Sequence, residues 1–302
     1  MKPRIVFMGT PEFAVASLDA LIKAGHDVVG VITAPDKPAG RGMKMNESAV
    51  KKYAAEHSLN ILQPEKLKNP GFLSQLKDLR ADLQVVVAFR MLPEVVWNMP
   101  PMGTINVHAS LLPKYRGAAP VNWAIINGEK ESGVTTFKLS HEIDTGNILM
   151  QQKVKIDDED NAGMLHDKLK EAGADLLIKT INGLVNKNIT EQPQTGDENL
   201  HAPKLNSETA RINWQLPAEK IHNLIRGLSP YPAAFTLLKG RVFKIYKSEF
   251  KVAEPGGNAG AYESDYKSYL RFAAADGYIY AKEVQAEGKK KMNVEEFLRG
   301  FR

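Results

Sequence analysis

Cysteine is absent from this 302-residue chain. Disulfide bonds, thiolate nucleophiles and cysteine-ligated metals are therefore excluded. No apolar run approaches the roughly 20 residues that a membrane-spanning helix needs. The first residues pass directly into a short apolar run, without the hydrophobic segment and cleavage site of a signal peptide. We therefore expect a cytoplasmic protein that has no membrane partner.

Several catalytic signatures are missing as well. The turn at Gly9-Thr10-Pro11 lacks the glycine spacing of nicotinamide-binding proteins, which disfavours an NAD-dependent enzyme. The sequence shows no Ser-His-Asp pattern with a nucleophile elbow, and no His or Glu spacing typical of a metal site. We expect neither a bound metal nor a covalent enzyme intermediate.

The positive charge of the chain is concentrated in its last third. The net charge is +5, and residues 205–302 hold 16 Lys and Arg against 11 Asp and Glu. Residues 1–204 hold 24 of each kind and are neutral. A neutral first part followed by a basic second part suggests a catalytic body with an anion-binding appendage, although a merely basic soluble domain has the same composition.

The first half of the chain alternates between predicted strands and helices. Strands are expected at 4–8, 28–33, 84–89 and 104–108, and a helix at 13–23. Further strands at 134–139 and 148–156 flank a polar loop, and a helix capped at 160–161 runs to about 184. This alternation predicts a Rossmann-like α/β domain with an open, parallel-rich sheet, whose ligands bind beyond the carboxyl ends of the strands.

The second half predicts a small β-domain. Residues 187–206 show no apolar periodicity, and we interpret 190–206 as a linker between a domain at 1–189 and one at 207–302. A short helix near 217–227 precedes expected strands at 233–238, 241–250, 269–273, 278–284 and 291–293. Short strands separated by glycine turns predict a small β-barrel of the OB-like kind, which often binds oligonucleotides.

Residues 34–46 form a long cationic connection. Two prolines and two glycines lead us to expect no regular element there. Lys37, Arg41 and Lys44 make the segment positively charged. Because long structureless loops in compact domains are usually functional or disordered, we predict a loop that reaches for an anionic partner.

Asn106 and His108 occupy the end of the predicted strand at 104–108. Residues two apart on a strand point to the same face, so these side chains should lie together. Leu111, Leu112 and Pro113 then provide a rigid apolar shelf, which suits the wall of a cleft for a flat ligand. The residues alone are equally compatible with a hydrogen-bonded Asn and His in a structural turn.

An amide and an imidazole beside one carbonyl group can support acyl or formyl transfer to an amine. Asn106 can donate a hydrogen bond to a developing oxyanion, and His108 can move a proton near neutral pH. A nearby carboxylate would orient His108 and favour its charged form. Asp144 is the candidate for that role, but sequence spacing cannot place it next to His108.

The chain resembles the methionyl-tRNA formyltransferase family over nearly its whole length. The segments that carry the resemblance are 7–14, 35–42, 106–113, 115–120, 133–136, 144–146, 210–214 and 226–233. The resemblance implies 10-formyltetrahydrofolate as the formyl donor and initiator methionyl-tRNA as the acceptor. It implies Asn106, His108 and Asp144 as the catalytic set. Nothing in the sequence suggests an obligate interface, so we expect a monomer.

The resemblance also implies binding residues. Expected tRNA contacts are Lys37, Arg41 and Lys44. Expected folate contacts are Phe89, Arg90, Met91, Leu92, Ser110, Leu111, Leu112, Pro113 and Gly117. Arg90 stands where the family commonly has a Tyr-Gly pair and one further residue, so we expect it to alter the wall of the folate pocket.

Two other functions remain open from the sequence. The core signature at 106–113 is shared with other folate-dependent formyltransferases and hydrolases, so it specifies the chemistry and not the acceptor. A small-molecule formyltransferase, acting on an amino sugar nucleotide or a glycinamide ribonucleotide, would share the same triad. A non-catalytic RNA-binding module would explain only the charge. The loop at 34–46 and the basic last third favour tRNA.

Overall fold

A computed structural model describes residues 2–39, 44–196 and 200–301. Within these ranges the strands are β1 Arg4–Gly9, β2 Asp27–Ile32, β3 Lys37–Ala39, β4 Lys44–Asn46, β5 Ile61–Leu62, β6 Leu83–Val87, β7 Thr104–His108, β8 Arg116–Gly117, β9 Glu131–Lys138, β10 Ile148–Lys155, β11 His201–Ala202, β12 Ala234–Leu238, β13 Arg241–Val252, β14 Tyr262–Ser264, β15 Leu270–Ala273, β16 Gly277–Ala286 and β17 Met292–Asn293. The helices are α1 Glu12–Lys23, α2 Ala49–Glu56, α3 Pro70–Asp78, α4 Glu94–Trp97, α5 Pro120–Ile126, α6 Ala162–Val185, α7 Ser207–Ala210, α8 Ala218–Leu228 and α9 Val294–Leu298. Among these described helices, none has the length and apolar character needed to cross a membrane.

The chain clusters into two compact units. The first comprises Met1–Arg116, Gly133–Val154 and His166–Leu200, and the second comprises Gly117–Ser132, Lys155–Leu165 and His201–Arg302. Two segments from within the range predicted as the first domain therefore cluster with the second unit. The linker predicted at 190–206 stays a prediction.

A seven-stranded sheet organises the first unit, in the order β10-β9-β7-β6-β1-β2-β5. The pairs β7–β6, β6–β1, β1–β2 and β2–β5 are parallel, whereas β9 pairs antiparallel with β7. Val6, Met8, Ile32 and Val86 lie in a buried cluster with Val96. The predicted Rossmann-like, parallel-rich α/β architecture is confirmed, and β7 has the predicted bounds.

The prediction that residues 34–46 contain no regular element is wrong. Strands β3 and β4 pair antiparallel, with Lys37 opposite Asn46 and Pro38 opposite Met45. An edge strand tolerates a proline where its missing N–H is not needed for the ladder, so Pro38 does not prevent pairing. Residues 40–43, which include Arg41, lie outside the described residues.

The second unit contains an antiparallel sheet in the order β12-β13-β16-β15-β14, with β17 on β16. Its buried core includes Ile221 and Ile225 from α8 together with Phe243 and Phe272 from the strands. The predicted β-rich C-terminal domain is confirmed. Strand β14, at Tyr262–Ser264, was not predicted.

Candidate active site

Strand β7 carries Asn106 and His108 in the first unit. Asn106 lies opposite Val86 on the parallel strand β6 and opposite Phe137 on the antiparallel strand β9. His108 lies opposite Thr135 and is only 7% exposed. The two side chains belong to one face of a strand that is flanked on both sides, so the backbone beneath them is held by hydrogen bonds to both neighbours.

His108 has an acceptor near each ring nitrogen. Its Nε2 lies 2.9 Å from the Tyr115 carbonyl oxygen, and its Nδ1 lies 3.9 Å from Asp144 Oδ2. A carbonyl oxygen can only accept, so the network assigns the hydrogen to Nε2. Nδ1 is then the nitrogen that can exchange a proton, and it faces a carboxylate at a distance longer than a hydrogen bond. The structure therefore brings together His108 and Asp144, which sequence spacing alone could not do.

The amide of Asn106 keeps hydrogen-bonding capacity for a ligand. Its Oδ1 is buried and accepts no hydrogen bond from the described residues. Buried polar atoms in folded proteins nearly always have partners, so an exception is a mark of function or strain. A side-chain amide at a strand end, with a buried oxygen that still lacks a partner, suits the recognition of a polar substrate group.

A polar loop between β9 and β10 brings Asp144 to His108. Leu139 N–H donates to Thr104 O at the start of β7, 2.9 Å away, whereas Asp144 approaches His108 at the end of the same strand. Asp144 has a φ of +56°, a left-handed conformation that most residues avoid. At Gly146 a Cβ atom would lie 1.6 Å from the Lys138 carbonyl oxygen, so any other residue would displace the loop.

Thr135 fixes the segment that follows β7. Its hydroxyl donates to Ser110 O at 2.6 Å and accepts from Leu112 N at 3.1 Å. Gln151 Nε2 lies 2.9 Å from the same hydroxyl and 2.9 Å from Leu112 O. The Ser110 hydroxyl donates to Lys114 O at 2.7 Å. This apolar shelf is therefore held by side chains of β9 and β10. Thr135 lies within the recognised segment at 133–136, whereas no sequence pattern had indicated Gln151.

The predicted folate residues differ in exposure. Leu92, Ser110 and Leu112 are buried, whereas Met91 is 72% exposed. Phe89, Leu111 and Pro113 are partly buried, and Gly117 belongs to the second unit. Their contact with folate stays a prediction.

The guanidinium group of Arg90 is hydrogen-bonded to the segment that follows β5. Its Nη1 donates to Glu65 O at 2.8 Å, and its Nη2 donates to Pro64 O. The group also lies 5.6 Å from the centroid of the Phe89 ring. Arg90 thus anchors the loop after β6 to the segment at 64–65.

Of the predicted tRNA contacts, Lys37 is exposed at the start of β3, and Lys44 begins β4. Arg41 lies outside the described residues. In the part of the chain that the structure describes, no group of three or more His, Asp or Glu side chains could hold a metal ion.

Sequence reasoning missed Gln194, whose Nε2 lies 2.8 Å from both Asp144 O and Gly146 O. Its Oε1 accepts from Arg116 at 3.0 Å and 2.6 Å. Arg116 lies within the recognised segment at 115–120. Gln194 lies in a stretch without apolar periodicity, so no pattern could have indicated it.

The sequence matches family models over both halves of the chain. The model described as "Formyl transferase" matches residues 3–181, and the model described as "Formyl transferase, C-terminal domain" matches residues 204–302. A methionyl-tRNA formyltransferase of Bacteroides fragilis is 50% identical over 307 residues, covering 99% of this chain and 95% of that protein. One of Parabacteroides distasonis is 52% identical over 310 residues, covering 99% and 96%.

Solved structures share the fold at lower identity. WlaRD, a sugar 3N-formyl transferase crystallised with dTDP and 5-N-formyl-THF, is 23% identical with a TM-score of 0.69, covering 96% of this chain and 100% of that one. HypX from Aquifex aeolicus in complex with tetrahydrofolic acid is 17% identical with a TM-score of 0.66, covering 99% and 48%.

Proposed function

We propose that this chain, which belongs to the methionyl-tRNA formyltransferase family, uses Asn106, His108 and Asp144 to transfer a formyl group. The donor is 10-formyltetrahydrofolate, and the acceptor is the amino group of initiator methionyl-tRNA. The observation that carries the residue roles is the position of His108 between Tyr115 O and Asp144, on the strand where the buried Asn106 Oδ1 has no hydrogen-bond partner among the described residues.

In the proposed reaction the methionyl amine attacks the formyl carbon. The carbonyl oxygen becomes an oxyanion, and the bond to the tetrahydrofolate nitrogen then breaks as that nitrogen departs. Asn106 donates a hydrogen bond to the oxyanion. His108 Nδ1 takes a proton from the amine, and the proton passes to the leaving nitrogen. Asp144 stabilises the charged imidazole while it holds that proton.

The proposal assigns separate tasks along the chain. Residues 1–189 form the catalytic domain, 190–206 the linker and 207–302 the tRNA-binding domain. The nine residues predicted for folate line the donor site, and Lys37, Arg41 and Lys44 contact tRNA phosphates. A monomer in the cytoplasm, where charged tRNA is used, fits these tasks. The basic balance of residues 205–302 supports the tRNA assignment.

The test is a formylation assay with charged initiator tRNA and the folate donor. Asn106→Ala should lower kcat by about 10²–10³-fold, because one oxyanion donor is lost. His108→Ala should lower kcat by about 10²–10⁴-fold, because general acid–base catalysis is lost. Neither change should weaken tRNA binding. His57→Ala is the matched control, since His57 is an exposed histidine of the first unit.

A second arm tests the acceptor. An amino sugar nucleotide and glycinamide ribonucleotide are offered in place of Met-tRNA. A higher kcat/KM on either one would overturn the tRNA assignment while leaving the formyl chemistry in place. Full activity of His108→Ala would instead remove the proposed residue roles.

A further inference from the structure

The side-chain amide of Gln194 uses all of its hydrogen-bonding capacity. Its two N–H groups point at Asp144 O and Gly146 O, both 2.8 Å away. Its oxygen accepts from Arg116 Nε at 3.0 Å and Nη2 at 2.6 Å. A flipped amide would set its oxygen against two carbonyl oxygens, so only one orientation fits.

These bonds hold the backbone on both sides of Thr145. Asp144 adopts φ of +56° there, and its neighbour Ile143 is 59% exposed. The loop has local restraints of its own, since the Thr145 hydroxyl donates to Glu142 O at 3.1 Å. Those restraints act within the loop, whereas Gln194 ties it to another segment of the first unit.

We propose that Gln194 is a positioning residue for Asp144 and that Arg116 fixes the orientation of the Gln194 amide. The inference rests on the proposed roles of His108 and Asp144. By fixing the carbonyls of Asp144 and Gly146, Gln194 sets the 3.9 Å approach of the Asp144 carboxylate to His108 Nδ1. A displacement of about 1 Å at a reacting group can cost about 10²-fold in rate, so such support matters.

The segment around Gln194 has other attachments. Gln192 exchanges two backbone hydrogen bonds with Ile148, at 2.8 Å and 2.9 Å. Glu191 pairs with Lys138 at 2.6 Å. These contacts should keep the segment docked when the Gln194 amide is removed. The loss of Gln194 should therefore act on the Asp144 loop and not on the fold.

Two substitutions separate positioning from packing. Gln194→Met keeps the length of the side chain and removes every hydrogen bond of the amide. Gln194→Glu keeps the size and strengthens the pairing with Arg116, but it sets a carboxylate against two carbonyl oxygens. Both should lower kcat by about ten- to a hundredfold and leave KM for donor and tRNA within about twofold. Gln75→Met, the same change at an exposed glutamine of α3, is the control and should leave kcat within about twofold.

A double-mutant cycle with Asp144→Asn distinguishes a positioning role of Gln194 from a purely structural one. If Gln194 acts through Asp144, then Gln194→Met should reduce kcat little further in the Asp144→Asn enzyme. Additive losses would overturn the proposal, as would loss of folded protein in both Gln194 variants or a wild-type kcat in either. If His108→Ala and Asp144→Asn were themselves fully active, the proposed residue roles would fail first.

Discussion

The imidazole of His108 and the backbone of Tyr115 are joined by a 2.9 Å hydrogen bond from Nε2 to the carbonyl oxygen. This bond occupies one ring nitrogen and turns the other toward Asp144. Tyr115 is itself held, because its N–H donates to Leu200 O at 2.6 Å. Main-chain atoms thus set the orientation of the His108 imidazole. The Asp144 carboxylate then acts on the imidazole through its negative charge.

Asp144→Asn tests that division of roles. The amide keeps the shape of the side chain but loses the negative charge that stabilises a protonated His108. We expect kcat to fall at least about tenfold, with KM for the folate donor within about twofold. Steady-state kinetics at saturating tRNA measures both. Asp175→Asn, an exposed carboxylate on α6, is the control, and a fully active Asp144→Asn enzyme would remove Asp144 from the mechanism.

Arg41→Ala tests the tRNA contact predicted from the sequence. The KM for tRNA should rise while the KM for folate stays unchanged, because on this prediction the lost charge neutralises a tRNA phosphate. The slope of log affinity against log salt should decrease by about 0.7–1 for each lost phosphate contact. Lys77→Ala removes an exposed charge from α3 and serves as the control. Equal losses for tRNA and folate would mean that this residue acts on the fold.

Arg90→Ala tests the anchor between the loop after β6 and the segment at 64–65. Without the bonds to Pro64 O and Glu65 O, the loop has to be ordered by the ligand. The KM for the folate donor should rise about tenfold, or about 1.4 kcal/mol, with kcat nearly unchanged. The KM of Arg90→Lys for the folate donor should lie between those of the wild type and Arg90→Ala. An ammonium group lacks the two-pronged donor geometry of the guanidinium. An unchanged KM in Arg90→Ala would separate this loop from donor binding.

His222 makes the stability of the second unit depend on pH. Burial lowers the pKa of His222 from 6.5 to about 4, with a smaller contribution from the charge of Arg226; Glu159 and Glu249 act in the opposite direction. The neutral ring contacts the Ser248 hydroxyl at 3.0 Å. Because the unfolded state binds the proton more tightly, this residue lowers the free energy of unfolding as pH falls from 6.5 to 4.

His222 changes the free energy of unfolding by at most about 1.4 kcal/mol per pH unit. His222→Gln should flatten the dependence of unfolding free energy on pH in that window, even though it also lowers stability at pH 7.5. Urea unfolding at several pH values, followed by circular dichroism, gives the slopes. His57→Gln, at an exposed position, should keep the wild-type slope. Identical slopes in wild type and His222→Gln would contradict the prediction.

The sequence predicts the strand that carries the site better than the site itself. Polar and apolar residues alternate along 104–108, and β7 has the bounds predicted for this strand. The approach of Asp144 to His108 depends on β9 pairing with β7 and on the loop that follows, which no local pattern encodes. The contacts of Gln194 depend on where the chain returns after α6, and polar residues without periodicity carry no signal for that return.

The pairing of β3 with β4 was missed for a related reason. Its register depends on contacts across the chain, and proline and glycine content indicates only a low local preference for strands. Local composition therefore predicted a loop where cross-strand hydrogen bonds form a ribbon.

The residues described around His108 come from one compact unit: β7, the loop between β9 and β10, Tyr115 and the segment at Gln194. The residues proposed for formyl transfer are therefore all contained in the first unit. A change confined to residues 207–302 leaves all of these residues in place, as well as the proposed tRNA contacts Lys37, Arg41 and Lys44. The same property makes residues 207–302 the natural place for a domain graft intended to redirect the reaction to a new amine.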